Sequence, residues 1–304
     1  MKFFQSAFIF IIWIAFGSQS LNAQIMPPDS VLHKNRLYTV AAIEGSLWLG
    51  SIVGLNYIWY SDFDRQKWHA FNDNSEWLQV DKVGHATTSY YLGKIGYDML
   101  RYSGVSHNKS VWFGGGVGFL YLTSIEMLDA YSQNWGFSWG DMAANAIGSG
   151  MYMSQAALWK EQRISMRYSF HTTEFAQYRP NVLGESFIEQ ALKDYNGQTY
   201  WLSANIYSFM PKESRFPKWL NIAVGYGAEG MLGGFSNPSD VNGVLVPQFD
   251  RYRQFYISPD IDWTRIPTKS KFLKSFFNVI SFLKFPMPAV EFSKNGPKFY
   301  PIYY

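Results

Sequence analysis

Three pairs of polar residues sit at spacings that place them on one face of a helix. They are Asp81 and His85 (i, i+4), Glu126 and Asp129 (i, i+3), and Asp141 and Asn145 (i, i+4). Carboxylates and imidazole on facing helices are the materials from which helical bundles build metal sites. An Asp/His pair can also move protons as general acid and base. If the three helices pack side by side, the six groups converge on one pocket. Asp81, His85, Glu126, Asp129 and Asp141 are then the candidate ligands of a divalent metal. His85 and Glu126 are the candidate catalytic groups, and Lys82, Ser138 and Asn145 are polar residues that fix the arrangement. No single pair matches a specific metal motif.

Each position also has an ordinary structural role open to it. Asp81 precedes an apolar helical run and would serve as an N-cap, while Ser138-x-x-Asp141 has the form of a capping box. His85 would be a hydrogen-bonded core histidine, Asp129 would lie near the wet end of its helix, and Asn145 would bond a neighbouring helix. Glu126 resists this treatment. The fifteen residues Val111–Ile125 before it carry no charge, and a lone carboxylate buried there suffers a large desolvation penalty. It needs a partner, for which Lys82, His85 and a cation are the candidates. The glycines at 114, 115, 116 and 118 suit close helix packing, since no strand precedes them and no Gly-Lys-Ser/Thr follows. No Gly-x-Ser-x-Gly elbow is present to support a serine hydrolase. His107 and His171 have no partner that the sequence identifies.

The elements that must carry these groups divide the chain into two halves of different periodicity. Residues 24–160 read as four helices, Tyr38–Tyr60, Asp81–Tyr102, Ser110–Ser132 and Ser138–Lys160, forming an N-terminal bundle. Their uncharged runs Gly45–Tyr60, Val111–Ile125 and Met142–Trp159 span 16, 15 and 18 residues, at or below the roughly 20 of a confident membrane span. A membrane-embedded bundle and a water-soluble one with very apolar interfaces both remain open. Residues 161–304 read as a β-rich domain. Ile164–His171 alternates apolar and polar, and Tyr200–Tyr207, Trp219–Tyr226, Arg251–Thr264, Ala289–Phe292 and Lys298–Tyr304 also read as strands. Asn-Gly pairs at 196–197, 242–243 and 295–296 suit type I′ turns. Five or six strands fall short of the eight a membrane barrel needs. The expectation is an α+β protein whose bundle is followed by an antiparallel sheet or partial barrel.

Between the strands lies Lys269–Phe285, with Lys271, Lys274, Asn278, Ser281 and Lys284 on one helical face and Phe272, Leu273, Phe276, Phe277, Ile280 and Leu283 on the other. It reads as a basic amphipathic helix in the membrane interface, Lys271, Lys274 and Lys284 toward anionic headgroups and Phe276 and Phe277 toward the acyl chains. A surface helix packing its Phe-rich face on the sheet is the alternative. Aromatic residues make up 19% of the chain against 16% charged, which suits either a membrane interface or an aromatic core. Residues 1–23 read as a signal peptide, with Lys2 before the apolar Ala7–Phe16 and cleavage expected after Ala23. Removing Lys2 from the formal charge of +3 leaves +2, since residues 1–23 hold no acid. Bulk charge therefore makes no case for nucleic acid. The chain has no cysteine, which excludes lipobox acylation, disulfides and thiolate metal ligands.

Asp81-Lys82-Val83-Gly84-His85, then Glu126-x-x-Asp129, then Phe137-Ser138-Trp139-Gly140-Asp141 running to Gly148, carry a resemblance in their order and spacing. Over residues 75–160 the chain resembles the predicted periplasmic lipoproteins of unknown function, domain-of-unknown-function family 2279. The same blocks remotely resemble the VanZ-like membrane proteins, which share an Asp-Lys-x-x-His start, a mid-helix Glu and a late Asp-x-x-x-Asn-x-x-Gly, here Asp141, Asn145 and Gly148. The resemblance implies an envelope location and a shared pattern at these polar positions, and supplies no reaction. Without cysteine, membrane attachment is expected from the helices, the basic segment or the sheet. Three functions follow as expectations. The first is a membrane-associated, periplasm-facing envelope protein with a structural or interaction role. The second is a metal-dependent hydrolase of an envelope lipid or cell-wall precursor, and the third a lipid or small-ligand binding module. Membrane lipid and envelope proteins are the expected partners.

Overall fold

The computed structural model describes residues 28–56, 64–133, 135–241 and 243–304, so the expected signal peptide lies outside the described residues. The chain divides into two compact units. One comprises Met1–Asp73, Thr88–Glu161 and Ser270–Ser275, the other Asn74–Thr87, Gln162–Lys269 and Phe276–Tyr304. Each unit is assembled from three separate stretches.

The helical unit contains α1 (Lys34–Leu55), the larger part of α2 (Val80–Tyr102), α3 (Val117–Asp129) and α4 (Trp139–Trp159). A single turn, His107–Lys109, and a π-helical turn, Ser110–Gly114, lead into α3. By length and composition, Lys34–Leu55 and His107–Asp129 are apolar enough to cross a membrane. α1 buries Val40 and leaves Tyr38, Leu49 and Val53 exposed. The expected role of the glycines holds. A Cβ on Gly93 would lie 2.5 Å from the Gly115 carbonyl oxygen, and one on Gly118 would lie 2.1 Å from that of Ser89. Backbones that close admit only hydrogen at Cα. His107 has partners after all: its Nδ1 lies 2.9 Å from the Tyr97 hydroxyl and its Nε2 lies 3.0 Å from the Ala156 carbonyl oxygen. It ties α2 to α4.

The second unit is built on a six-stranded antiparallel sheet of order β1-β2-β3-β6-β7-β8. Its strands are β1 (Ile164–Phe170), β2 (Gln198–Asn205), β3 (Leu220–Glu229), β6 (Tyr252–Ile261), β7 (Met287–Ser293) and β8 (Gly296–Tyr303). A small ribbon, β4 (Asp240–Val241) and β5 (Val244–Leu245), lies apart from the sheet. One sheet face gathers Trp201, Ala223, Tyr256, Ala289 and Tyr303 into a core. At the β7–β8 hairpin the type I′ expectation is corrected. Gly296 takes φ +89° while Lys294 and Asn295 do not adopt positive φ, so the glycine supplies the left-handed residue after the turn, as in a G1 bulge, rather than its second corner.

The basic segment forms α5 (Lys271–Val279) followed by a 3-10 turn, Ile280–Phe282. Lys271, Lys274, Phe272 and Phe276 are exposed, and Phe277 is half-buried, its ring 5.8 Å from that of Trp263. Lys284 departs from the expected surface role. The helical period is lost at Ile280, and Lys284 is buried, its Nζ donating to Ser258 Oγ at 3.0 Å and to the Pro259 carbonyl at 2.9 Å. It lies 3.7 Å from Asp260, which also faces the Arg167 guanidinium at 3.5 Å.

Candidate metal centre

Ser138 is the hub of the polar group in the helical unit. It is the N-cap of α4, accepting the Asp141 N–H on its Oγ at 3.0 Å, as the Ser-x-x-Asp spacing led one to expect. The same hydroxyl donates to Asp73 Oδ1 at 2.6 Å, and the Ser138 N–H donates to Glu126 Oε2 at 3.2 Å. Two carboxylates, from a loop and from α3, and one backbone N–H of α4 thus converge on one serine. Ligand oxygens of Glu126 and Asp141 approach within 4.8 Å, as do those of Asp73 and Asp141. Asp129, half-buried at the end of α3, is not in those sets and acts on Glu126 through its charge.

Glu126 is 2% exposed. Burial pushes its carboxyl up to about 9, and the charges of Asp141, Asp129 and Asp73 push the same way, against the Ser138 N–H. In this surround the group holds its proton at neutral pH unless a positive charge is supplied. Asp73 escaped the sequence reading because it lies in the irregular, polar stretch before α2, where no periodicity marks it. The Asn-Asp-Asn run at 72–74 was its only signal.

Asp81, Lys82 and His85 lie in the first turns of α2. Asp81 is not the N-cap expected: the helix begins at Val80, so Asp81 sits inside the first turn. Its Oδ2 lies 3.0 Å from Lys82 Nζ, while Oδ1 is buried with no hydrogen-bond partner among the described residues. Burial raises the Asp81 carboxyl above its ordinary range, with Lys82 and then His85 opposing. The chain enters α2 through Trp77, Leu78 and Gln79, all left-handed at φ 47°, 50° and 69°. Non-glycine residues seldom adopt that conformation, and it persists only where surroundings hold it. Here Tyr226 donates to the Leu78 carbonyl, Arg253 to Gln79 Oε1, and Trp77 N–H to the Gly234 carbonyl. No turn signal at Trp-Leu-Gln announces this.

Further along, α2 pairs with α4. Ser89 Oγ lies 2.7 Å from the Asn145 carbonyl oxygen and 2.8 Å from Ser149 Oγ, and the Tyr90 and Tyr97 rings both contact Tyr152. With His107 held at Ala156, early residues meet early and late meet late, so the two helices run parallel. At Asn145 the acceptor of the Ser89 bond is the backbone carbonyl oxygen, which any residue at that position would offer.

Residues 67–156 match the model of a protein family described as predicted periplasmic lipoprotein (DUF2279). The matched stretch holds Asp73, Asp81, Lys82, His85, Glu126, Asp129, Ser138, Asp141 and Asn145. The family match lends no support to the remoter likeness to VanZ-like proteins. Lipoprotein acylation takes place on a cysteine, and the 304 residues contain none. No curated protein and no solved structure matches the chain.

Proposed function

We propose that this chain is a periplasm-facing envelope protein whose family-matched segment binds a divalent cation through Glu126 and Asp141, with Asp73 bordering the site. Glu126 carries the reading. Its buried carboxyl stands among three others, an arrangement that is repulsive alone and attractive around a cation. Carboxylate oxygens suit Mg2+ or Mn2+ and leave positions for water. The chemistry that such a centre supplies is hydrolytic, with an ester of an envelope lipid or cell-wall precursor as its substrate class.

Elemental analysis of the purified protein beside a Glu126→Gln sample tests this. One metal ion per chain in the wild type, absent from the variant, is the expected outcome. No metal in either sample sinks the reading and favours the second one, which rests on Ser138. Its bonds to Asp73, Glu126 and Asp141 suit a purely structural network in which Glu126 stays protonated and the protein acts by interaction.

Membrane association belongs to the same proposal. The exposed Lys271 and Lys274 with Phe272 and Phe276 on α5 support an interfacial helix that meets anionic headgroups.

A further inference from the structure

We infer that the outer face of the six-stranded sheet lies in the acyl layer of a phospholipid leaflet. The inference extends membrane association and is independent of the cation centre. Leu202, Val224, Ile257, Val290 and Phe299 stand opposite one another in an unbroken row across five strands, β2 to β8. Phe255 and Phe292 are exposed beside it, and Tyr226 at the end of their row is half-buried against Leu78. Val224 is 53% exposed, Ile257 48% and Phe299 63%. A shallow groove of about 400 Å³ runs through this face, lined by Ile222, Ile257, Pro288, Val290 and Phe299 among others.

The other face is a mixed core, in which buried charges stand beside Trp201, Tyr256 and Tyr303. Arg167, Asp260, Lys284 and Glu291 are all buried there, with the first three joined in ion pairs. A sheet that faces water hides its apolar residues and shows its charges. An uncharged apolar outer row over a core that takes the charges inward, at period two, is an arrangement suited to hydrocarbon as the outer solvent.

The charges that do reach the surface show which way the face is oriented. Exposed Lys212, Arg215 and Lys218 lie in the β2–β3 connection, together with exposed Phe209 and Trp219. Antiparallel topology brings Trp263, Arg265 and the exposed Lys269, which follow β6, to the same end of the sheet. Arg253 stands on the outward column of β6 at the opposite end. A basic, aromatic collar at one end of an apolar wall fits anionic headgroups above acyl chains.

Flotation of the full chain with phosphatidylcholine vesicles, and with vesicles that also contain phosphatidylglycerol, tests the inference. Val224→Asn/Ile257→Asn changes two water-exposed side chains and should leave the circular dichroism spectrum unchanged. It should weaken partition into both vesicle types by about tenfold or more. A Phe299→Trp variant should be quenched by lipids brominated along the acyl chain. Replacing Lys212, Arg215 and Lys218 by Ser should remove only the preference for phosphatidylglycerol, and Glu126→Gln should leave partition untouched. Unchanged partition of the double Asn variant, or an unquenched Phe299→Trp, overturns the inference. So does a wild-type dimer in light scattering that the double variant converts to monomer, because the face would then bind a second copy.

Discussion

The backbone N–H of Ser138 donates to Glu126 Oε2 at 3.2 Å, so an acid on α3 satisfies a donor at the start of α4. That bond favours the charged carboxylate, whereas burial and three neighbouring acids oppose it more strongly. The opposition makes the group responsive to a cation, which would add the missing positive charge where the helix N-terminus supplies only a partial one.

Ser138→Ala removes the side-chain cap of α4 and the hydroxyl bonded to Asp73, while keeping the backbone bond to Glu126. A loss of about 1–2 kcal/mol in folding stability is expected. Urea unfolding of the two proteins measures it, and equal midpoints would show that the hydroxyl contributes nothing.

Two glycines should respond in opposite directions. A Cβ at Gly118 would sit 2.1 Å from the Ser89 carbonyl oxygen, whereas one at Gly150 meets nothing within 4 Å. Gly118→Ala should destabilise by about 2–3 kcal/mol through the forced backbone shift. Gly150→Ala, inside α4, should stabilise by up to about 1 kcal/mol through helix propensity. Thermal unfolding of the pair separates close packing from propensity, and like-signed shifts would contradict the packing.

Lys284 gives the β unit a pH dependence. Burial lowers its ammonium from 10.5 to about 8, although Asp260 opposes the shift. The folded chain therefore releases this proton before the unfolded chain does. Where the unfolded state holds more protons, stability rises with pH, so this contribution grows as pH climbs from 8 toward 10.5. The difference in urea midpoint between wild type and Lys284→Met should change across that window. Parallel profiles would show that the ammonium is not destabilised by burial.

Lys271→Glu/Lys274→Glu reverses two exposed charges on α5. Binding to anionic vesicles should fall by about fivefold or more at low salt, since each basic residue near such a surface contributes about 1 kcal/mol. Binding to neutral vesicles should not change. An equal loss on both would place the effect on folding rather than on charge.

The periodic elements were readable because their signals are local. β1 alternates cleanly, and the strand expected at Trp219–Tyr226 begins within a residue of the observed Leu220. Ser138-x-x-Asp141 marks a helix start in four letters. What stayed hidden depends on neighbours distant in sequence. Asp73 joins the acidic group through a serine 65 residues away, and the left-handed Trp77–Gln79 run is held by Tyr226 and Arg253. Lys284 keeps the helical spacing of Lys271 and Lys274, but the 3-10 turn at Ile280–Phe282 rotates it out of that phase and into the interior. Hydropathy could not foresee that the sheet would bury its charges, because alternation reads the same with either face inward.

The discontinuity of the two units has a consequence for how the chain can be completed. Val80, from the stretch Asn74–Thr87, packs with Ala228 and Met231 in a core of the β unit, so a fragment beginning at residue 161 starts with a hole where that valine belongs. The helical unit likewise includes Ser270–Ser275, which a chain delivered from its N-terminus produces late. Cutting the gene after residue 160 should yield two fragments that each lack a stretch of their own unit.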